Sequence, residues 1–268
     1  MRQERIAFVG AGNMAEAILG GLLAAQIVPP AQIVASDLSG ERRDHVTSKY
    51  GIKATGDNAE AVREADVVVL AVKPQQVPEV LTALQSSFSD KQLLISICAG
   101  LPTEFLEARV PARVVRVMPN LPALVRRAVS AVCGGVRATE ADLDLTEVLF
   151  ATTGVVMRLP ENRMNEVTAL SGSGPGYVFA FIEAMVAAAV AMDIDPVMAR
   201  VMAVETVRGA AELASQTGED PAELRRRVSS KGGTTLAGLA AMEAAGFSEA
   251  VAAGMQACRD RAAELAGS

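Results

Sequence analysis

The chain of 268 residues has one histidine, His45, no tryptophan, and no lysine between Lys91 and Lys231. A general base for an alcohol proton is commonly His or Lys, so this shortage counts against a hydroxyacid dehydrogenase. It excludes a Ser-His-Asp hydrolase despite Gly172-Ser173-Gly174, and it excludes a His-rich metal site; no metal ligand set is expected. The only three cysteines, Cys98, Cys133 and Cys258, are odd in number and widely spaced. They fit neither a disulfide nor a zinc framework and read as reduced core thiols of a cytosolic protein. An excess of basic residues is also missing: the net charge is −6, which argues against nucleic acid as a partner. No window of 20 apolar residues exists. The run 175–192 is borderline in length, but it is Ala-rich, carries Glu183 at its centre and lacks flanking Lys or Arg. It reads as a buried helix at a subunit interface, not a membrane span. A strand pattern begins by Arg5, which leaves no room for a signal peptide, so a cytoplasmic location is expected.

Half of the residues are hydrophobic, but only seven Phe and two Tyr are aromatic, so Ala, Val, Leu and Met must fill the core. The length suits one large or two ordinary domains. Arg5–Val9 reads as a buried strand, Gly10-Ala11-Gly12-Asn13-Met14-Ala15 follows at once, and Glu16 to Ala25 has helical spacing. This is the Gly-x-Gly-x-x-Gly/Ala dinucleotide fingerprint in its required context. Gly10 allows the tight turn, Gly12 lets the backbone approach a diphosphate, and Ala15 keeps helix and strand close. Ile33–Asp37 reads as the second strand. Asp37 stands 25 residues after Gly12, where an acid grips an adenosine ribose diol and favours NAD. A 2′-phosphate there would be repelled unless Arg42 or Arg43 compensated. The alternative is that Asp37 caps the next helix. His45 falls on that helix as a solvated residue. Strands 66–72, 93–98 and 114–118 follow, ending in Val72-Lys73-Pro74, Cys98-Ala99-Gly100 and Met118-Pro119-Asn120. Ligands of parallel sheets bind at such carboxyl ends, and the ends gather on one edge, as a cofactor groove requires. Ala128–Gly134 and Gly154–Leu159 extend the sheet around a helix at Glu140–Thr153. The break at Leu159-Pro160-Glu161-Asn162 sets a boundary between residues 1–160 and 161–268.

Beyond Pro160 the chain reads as helices only. Asp195-Pro196 starts one that runs to about Ser215, and Asp220-Pro221-Ala222-Glu223 has the capping-box pattern. Helices at Leu236–Ala245 and Glu249–Leu265 close the chain. Two Gly-and-hydroxyl loops, 171–176 and 229–235, suggest a shared cradle of N–H groups and hydroxyls for a small ligand. The first leads into the helix from Pro175, whose free N–H groups suit a carboxylate. The apolar length of this half exceeds what one small domain hides, so an intimate homodimer is expected.

Together the motifs resemble the pyrroline-5-carboxylate reductase family. The resemblance covers essentially the whole chain. Its carriers are Gly10–Ala15, Ala71-Val72-Lys73-Pro74, Met118-Pro119-Asn120, Leu170-Ser171-Gly172-Ser173-Gly174-Pro175 and Gly232-Gly233-Thr234-Thr235. The last two are specific to that family; the first is shared by many dehydrogenases. The resemblance implies an α/β Rossmann-like domain followed by an all-α dimerisation domain, often five dimers in a decamer. It implies hydride transfer from NADPH or NADH to 1-pyrroline-5-carboxylate. It implies cofactor contacts from Gly10, Ala11, Gly12, Asn13, Met14, Ala15, Asp37, Asn58, Val72, Lys73 and Ala99, beside Pro74 and Gly100 on the same sheet edge. It implies substrate contacts from Glu161, Ser171, Gly172, Ser173, Gly174, Pro175, Gly233 and Thr234. Thr235 is the candidate catalytic group, because its hydroxyl donates a hydrogen bond without ionising; the alternative is that it caps the helix from Leu236. An imine needs less acid help than a carbonyl, which suits a chain poor in His and Lys. Two rival readings remain: a reductase of another imine or hydroxyacid, and a non-catalytic dinucleotide-binding protein.

Overall fold

The computed structural model describes residues 4–267. The first half forms eight strands: β1 (Ile6–Val9), β2 (Ile33–Ser36), β3 (Lys53–Thr55), β4 (Val67–Leu70), β5 (Leu93–Ser96), β6 (Arg113–Met118), β7 (Ala128–Gly134) and β8 (Gly154–Arg158). They make one sheet in the order β3-β2-β1-β4-β5-β6-β7-β8. β1 to β6 are parallel. β7 pairs antiparallel with β6, and β8 lies parallel to β7. Helices α1 (Asn13–Ala24), α2 (Gly40–Tyr50), α3 (Asn58–Arg63), α4 (Val77–Leu84), α5 (Thr103–Glu107) and α6 (Glu140–Phe150) fill the connections.

Side chains alternate across a strand, so a sheet covered on both faces needs apolar residues at every position. β1 meets this requirement. Ile6 and Phe8 join a core with Ile18, Leu19 and Leu22 of α1. Ala7 and Val9 join the opposite core with Leu81 and Leu84 of α4. β3 is the exception to apolar strands. Lys53-Ala54-Thr55 pairs on one side only and is partly exposed, so it carries no apolar run, and the sequence offered no strand there.

Further on come α7 (Met164–Val167), a π-helical turn (Thr168–Gly172), α8 (Gly174–Ala191), α9 (Pro196–Thr217), α10 (Pro221–Arg227), α11 (Thr234–Ala244) and α12 (Phe247–Gly267). The chain divides into two compact units. Of the described residues, one contains 4–173 and 258–267, the other 174–257. Within the second, α8 packs on α9, and Phe181 meets Phe247 with ring centroids 6.3 Å apart. Asp195 caps α9 by accepting from the Val197 and Met198 amides, and Gly218 ends it in the left-handed conformation. Asp220 accepts from the Ala222 amide; Glu223 pairs with Arg226. No residue of α8 is buried, and Phe179 is 56 % exposed. The stretch Glu161–Ala191 is long and apolar enough to cross a membrane by length and composition. Such a bare apolar surface marks a contact face.

Candidate functional site

The glycine turn sits between β1 and α1, where the sheet ends. Gly10 has φ +96°, and a Cβ there would lie 2.8 Å from the Ala71 carbonyl oxygen. Only glycine tolerates both conditions. Gly12 is different: it is extended, with φ −70° and ψ −179°, and a Cβ on it would meet nothing within 4 Å. The space before Gly12 is therefore open at the N-terminus of α1, where backbone N–H groups and the helix dipole favour a diphosphate. Ala11 and Ala15 are buried behind the turn, while Asn13 is exposed and Met14 half-buried in the first turn of α1.

Gly10, Gly12, Asp37, Asn58, Val72 and Lys73 line one groove, and Pro74 continues the chain from Lys73. A dinucleotide fits this edge. Asp37 has a more specific role than the sequence indicated. One carboxylate oxygen accepts from the Ala11 amide and the other from the Ser39 amide, each at 2.9 Å. It thus ties β2 to the glycine turn. The cap of α2 is Ser39, which accepts from the Arg42 amide at 3.3 Å; Asp37 does not cap that helix. Arg43 donates to the backbone carbonyls of Asp37 and Leu38 at 2.8 and 3.0 Å, which ties the start of α2 to the end of β2.

Arg42 crosses the turn. It donates to the Ala11 carbonyl and, at 2.7 Å, to Glu16. Glu16 also meets His45 and Lys49, each at 2.9 Å. Burial opposes ionisation of Glu16, but the hydrogen bonds with His45, Arg42 and Lys49 outweigh it and hold the carboxyl near pH 2. His45 is partly exposed, as expected, but it is part of this cluster.

Ala99 and Gly100 lie on a second pocket of the same unit, shared with Thr168, Ser173 and Cys258. The expected Gly-rich loop at 171–176 is not a loop. Residues 168–172 form a π-helical turn, and the Ser173 amide donates to the Thr168 carbonyl at 2.8 Å. That amide is therefore not free for an anion. Asn120 pins this turn by donating to the Ser171 carbonyl at 2.9 Å, and its own oxygen accepts from the Val129 amide at 3.0 Å. A Cβ on Gly172 would stand 2.6 Å from Met118 Cε.

Glu161 is engaged on both oxygens. One accepts from the Thr103 amide at 2.7 Å and from Arg116 at 3.2 Å; the other accepts from the Thr103 hydroxyl at 2.6 Å. Arg116 is 4 % exposed. The sequence carried its signal, a lone charge in the apolar strand Val114-Val115-Arg116-Val117-Met118, but gave no partner.

Cys98, Cys133 and Cys258 are free thiols. Burial pushes Cys98 up to about 11 and Cys133 up to about 12, so both are inert at neutral pH. Cys258 donates to the Ser173 hydroxyl at 3.1 Å. Among the described residues no group of His, Cys, Asp and Glu side chains could hold a metal ion.

The remaining candidates belong to the second unit. Gly174 and Pro175 open α8, and Gly233 is the N-cap of α11. That helix starts at Thr234, so Thr235 lies inside its first turn and does not cap it. Its side chain is exposed, with no hydrogen-bond partner among the described residues.

Comparison with known proteins agrees with this geometry. A family model for pyrroline-5-carboxylate reductase dimerisation matches residues 161–265. A model described as NADP oxidoreductase, coenzyme F420-dependent, matches residues 5–100. The pyrroline-5-carboxylate reductase of Methanosarcina acetivorans is 40 % identical, over 99 % of both chains. Among solved structures, the pyrroline-5-carboxylate reductase of Coxiella burnetii superposes with TM-score 0.92 at 34 % identity, covering 98 % of this chain and 99 % of that one. The Plasmodium falciparum pyrroline carboxylate reductase, solved with NADP bound, has TM-score 0.89 at 28 % identity, covering 99 % of both. This chain, with its glycine turn, parallel sheet and exposed helical half, belongs to the pyrroline-5-carboxylate reductase family.

Proposed function

We propose that this chain reduces 1-pyrroline-5-carboxylate to L-proline, the last step of proline synthesis. The carrying observation is the open cradle before Gly12 in a chain that matches a pyrroline-5-carboxylate reductase over its whole length. NADPH, or NADH in its place, supplies the hydride when bound. Gly10–Ala15, Asp37, Asn58, Val72-Lys73-Pro74 and Ala99-Gly100 hold the dinucleotide. Asp37 lines the groove at the ribose end, and Arg43 holds the backbone of Asp37 and Leu38, so the balance between NADPH and NADH is set there.

The hydride goes to C5 of the ring imine, the C=N bond becomes a C–N single bond, and a proton completes the ring nitrogen. Thr235 donates a hydrogen bond to that nitrogen as its negative charge grows. One such aimed donor contributes roughly 2–4 kcal/mol. Ser171, Gly172, Ser173, Gly174, Pro175, Gly233 and Thr234 hold the substrate carboxylate and orient the ring. Glu161 is left out of this set because both its oxygens are taken. The helical substrate and dimerisation region begins at residue 161, where the sheet gives way to helices, although residues 161–173 pack within the first compact unit. The bare faces of α8 and α9 meet a second copy, the homodimers assemble into decamers, and the protein works in the cytoplasm.

The test is turnover of 1-pyrroline-5-carboxylate with NADPH and with NADH, followed by nucleotide absorbance, with proline identified as product. Turnover with either nucleotide is expected. Nucleotide binding without turnover would leave a non-catalytic dinucleotide-binding protein instead.

A further inference from the structure

Glu161 stands where two stretches of the first unit meet. The first, Ala99–Thr103, leaves the carboxyl end of β5. It begins with Ala99 and Gly100 and ends at Thr103, the first residue of α5. The N-cap of that helix is Pro102, which has no side-chain acceptor to offer. The Glu161 carboxylate, 58 residues further on, serves instead by accepting both the amide and the hydroxyl of Thr103. The second stretch, 161–173, begins with Glu161 itself and carries Thr168, Ser171 and Ser173. Ala99, Gly100, Thr168 and Ser173 are walls of one pocket, which α12 closes with Cys258, Arg261, Ala262 and Leu265, so the carboxylate ties together two of the three stretches that form it. Arg116 supports the tie from beneath: it is buried, its Nη1 meets Glu161 at 3.2 Å, and its Nη2 has no partner. At the far end of the second stretch Asn120 holds the Ser171 carbonyl. Segment 161–173 is thus fixed to the sheet near both ends.

We propose that Glu161 is a positioning residue: a latch that holds the cofactor-side turn 99–103 against the substrate-side stretch 161–173, acting through Thr103 and Arg116 and making no contact with substrate. A free carboxylate would repel an anionic substrate. This one lies against a buried guanidinium, and each of its oxygens accepts from Thr103. The inference rests on the reductase reading for its kinetic part, while the latch itself is a property of the unliganded chain.

Glu161→Gln, Glu161→Ala and Thr103→Val separate the alternatives. Gln keeps an acceptor for the Thr103 amide and for Arg116, and its amide group donates to the Thr103 hydroxyl oxygen, so the latch survives. Ala removes it, and Val at 103 removes the hydroxyl arm alone. Three readouts are needed: KM and kcat, NADPH Kd by fluorescence titration, and hydrogen exchange of the unliganded protein over residues 99–106 and 161–173. For Gln, KM and kcat should stay within about threefold of the parent. For Ala, NADPH Kd and the imine KM should rise together by at least about tenfold, with faster exchange in both segments and unchanged exchange elsewhere. Val should give the same pattern at about threefold, and it carries the test if the Ala variant fails to fold. A Gln variant that loses kcat tenfold or more at unchanged NADPH Kd would mean direct contact with the substrate and would overturn the proposal. Unchanged exchange in the Ala or Val variant overturns it too. If the parent protein turns over no imine, the reductase reading fails, and the exchange data still decide the latch.

Discussion

Gly10 and Gly12 belong to one motif, and the structure predicts opposite failures when each is replaced. Take Gly12→Val first. The residue has φ −70° and ψ −179°, a conformation that valine accepts without strain. Its Cβ would meet nothing within 4 Å. The fold loses only an N-cap preference, about 1 kcal/mol, or roughly 2–4 °C in Tm. The new side chain, however, fills the space where the diphosphate must approach the backbone. Displacing the diphosphate from the α1 amides should raise the NADPH Kd about a hundredfold or more, which is roughly 2.7 kcal/mol. For Gly10→Ala the balance is reversed. The φ of +96° costs an L-residue roughly 1–2 kcal/mol, and the Cβ lies 2.8 Å from the Ala71 oxygen and 2.9 Å from its carbonyl carbon. The Ala71 amide is itself bonded to the Val9 carbonyl at 2.8 Å, so that backbone has no easy way to retreat. Overpacking adds roughly 1–3 kcal/mol, for a total of about 2–5 kcal/mol and a fall in Tm on the order of 5–15 °C. Differential scanning fluorimetry and NADPH fluorescence titration on both variants check this. The reasoning is refuted if folded Gly12→Val binds NADPH like the parent, or if Gly10→Ala melts with it.

Three further outcomes follow from the site. Asp37→Ser should move the kcat/KM ratio toward NADPH by removing a charge that repels the 2′-phosphate, and should raise KM for both nucleotides by freeing the Ala11 amide; KM values that rise equally with an unchanged ratio would make Asp37 a strut only. Thr235→Ala should lower kcat about tenfold, equivalent to ~1.4 kcal/mol, with Tm nearly unmoved, because Gly233 is the cap and the hydroxyl supports nothing in the fold; a lower Tm at parental kcat would end the catalytic role. Glu16, held near pH 2 against an ordinary 4.5, contributes stability that is complete above pH 4.5 and is lost as pH falls from there toward 2. Screening leaves this at about 1–2 kcal/mol. The Tm gap between the parent and Glu16→Gln should therefore shrink between pH 5 and pH 3, and a constant gap would show that the cluster does not titrate there.

Most of the sheet was legible because burial on both faces forces a continuous apolar run, a signal each chain segment carries alone. Ala128–Gly134 is a strand over the residues read from the sequence, and β1, β4, β5 and β6 lie within a residue or two of theirs. The antiparallel turn of β7 onto β6 was not legible, since pairing direction leaves no trace in either strand. β3 was invisible for the converse reason, being a polar edge strand. Helix starts were legible where a capping residue precedes a proline, as at Asp195-Pro196. They were misplaced at α11, where a backbone glycine does the work and the following threonines were read as loop.

What escaped the sequence were contacts between residues far apart in the chain, and the glycines show why. Gly10, Gly12 and Gly172 look alike in the sequence, where Gly10 was read as a tight turn, Gly12 as the place where the backbone meets a diphosphate, and Gly172 as part of a ligand cradle. Gly10 is needed because the Ala71 carbonyl lies beneath it, 61 residues away, and because its backbone is left-handed. Gly12 is free of neighbours, and only there does the missing side chain leave room for a ligand. Gly172 faces Met118, at the end of β6, beside the Asn120 side chain that holds the Ser171 carbonyl. Its missing Cβ serves the packing of a π-helical turn onto the sheet edge, and the same close approach lets Asn120 reach Ser171. A ligand cradle and a packing contact therefore call for the same residue type, and the fold distinguishes them by what stands opposite. The charges follow the same logic. Arg116 in an apolar strand announces that a buried anion must come from somewhere, but nothing local says that it comes from Glu161, across the break after β8. Where chemistry depends on such long-range pairs, a motif names the residue, and the partner it meets decides whether that residue binds substrate or holds the wall of the site.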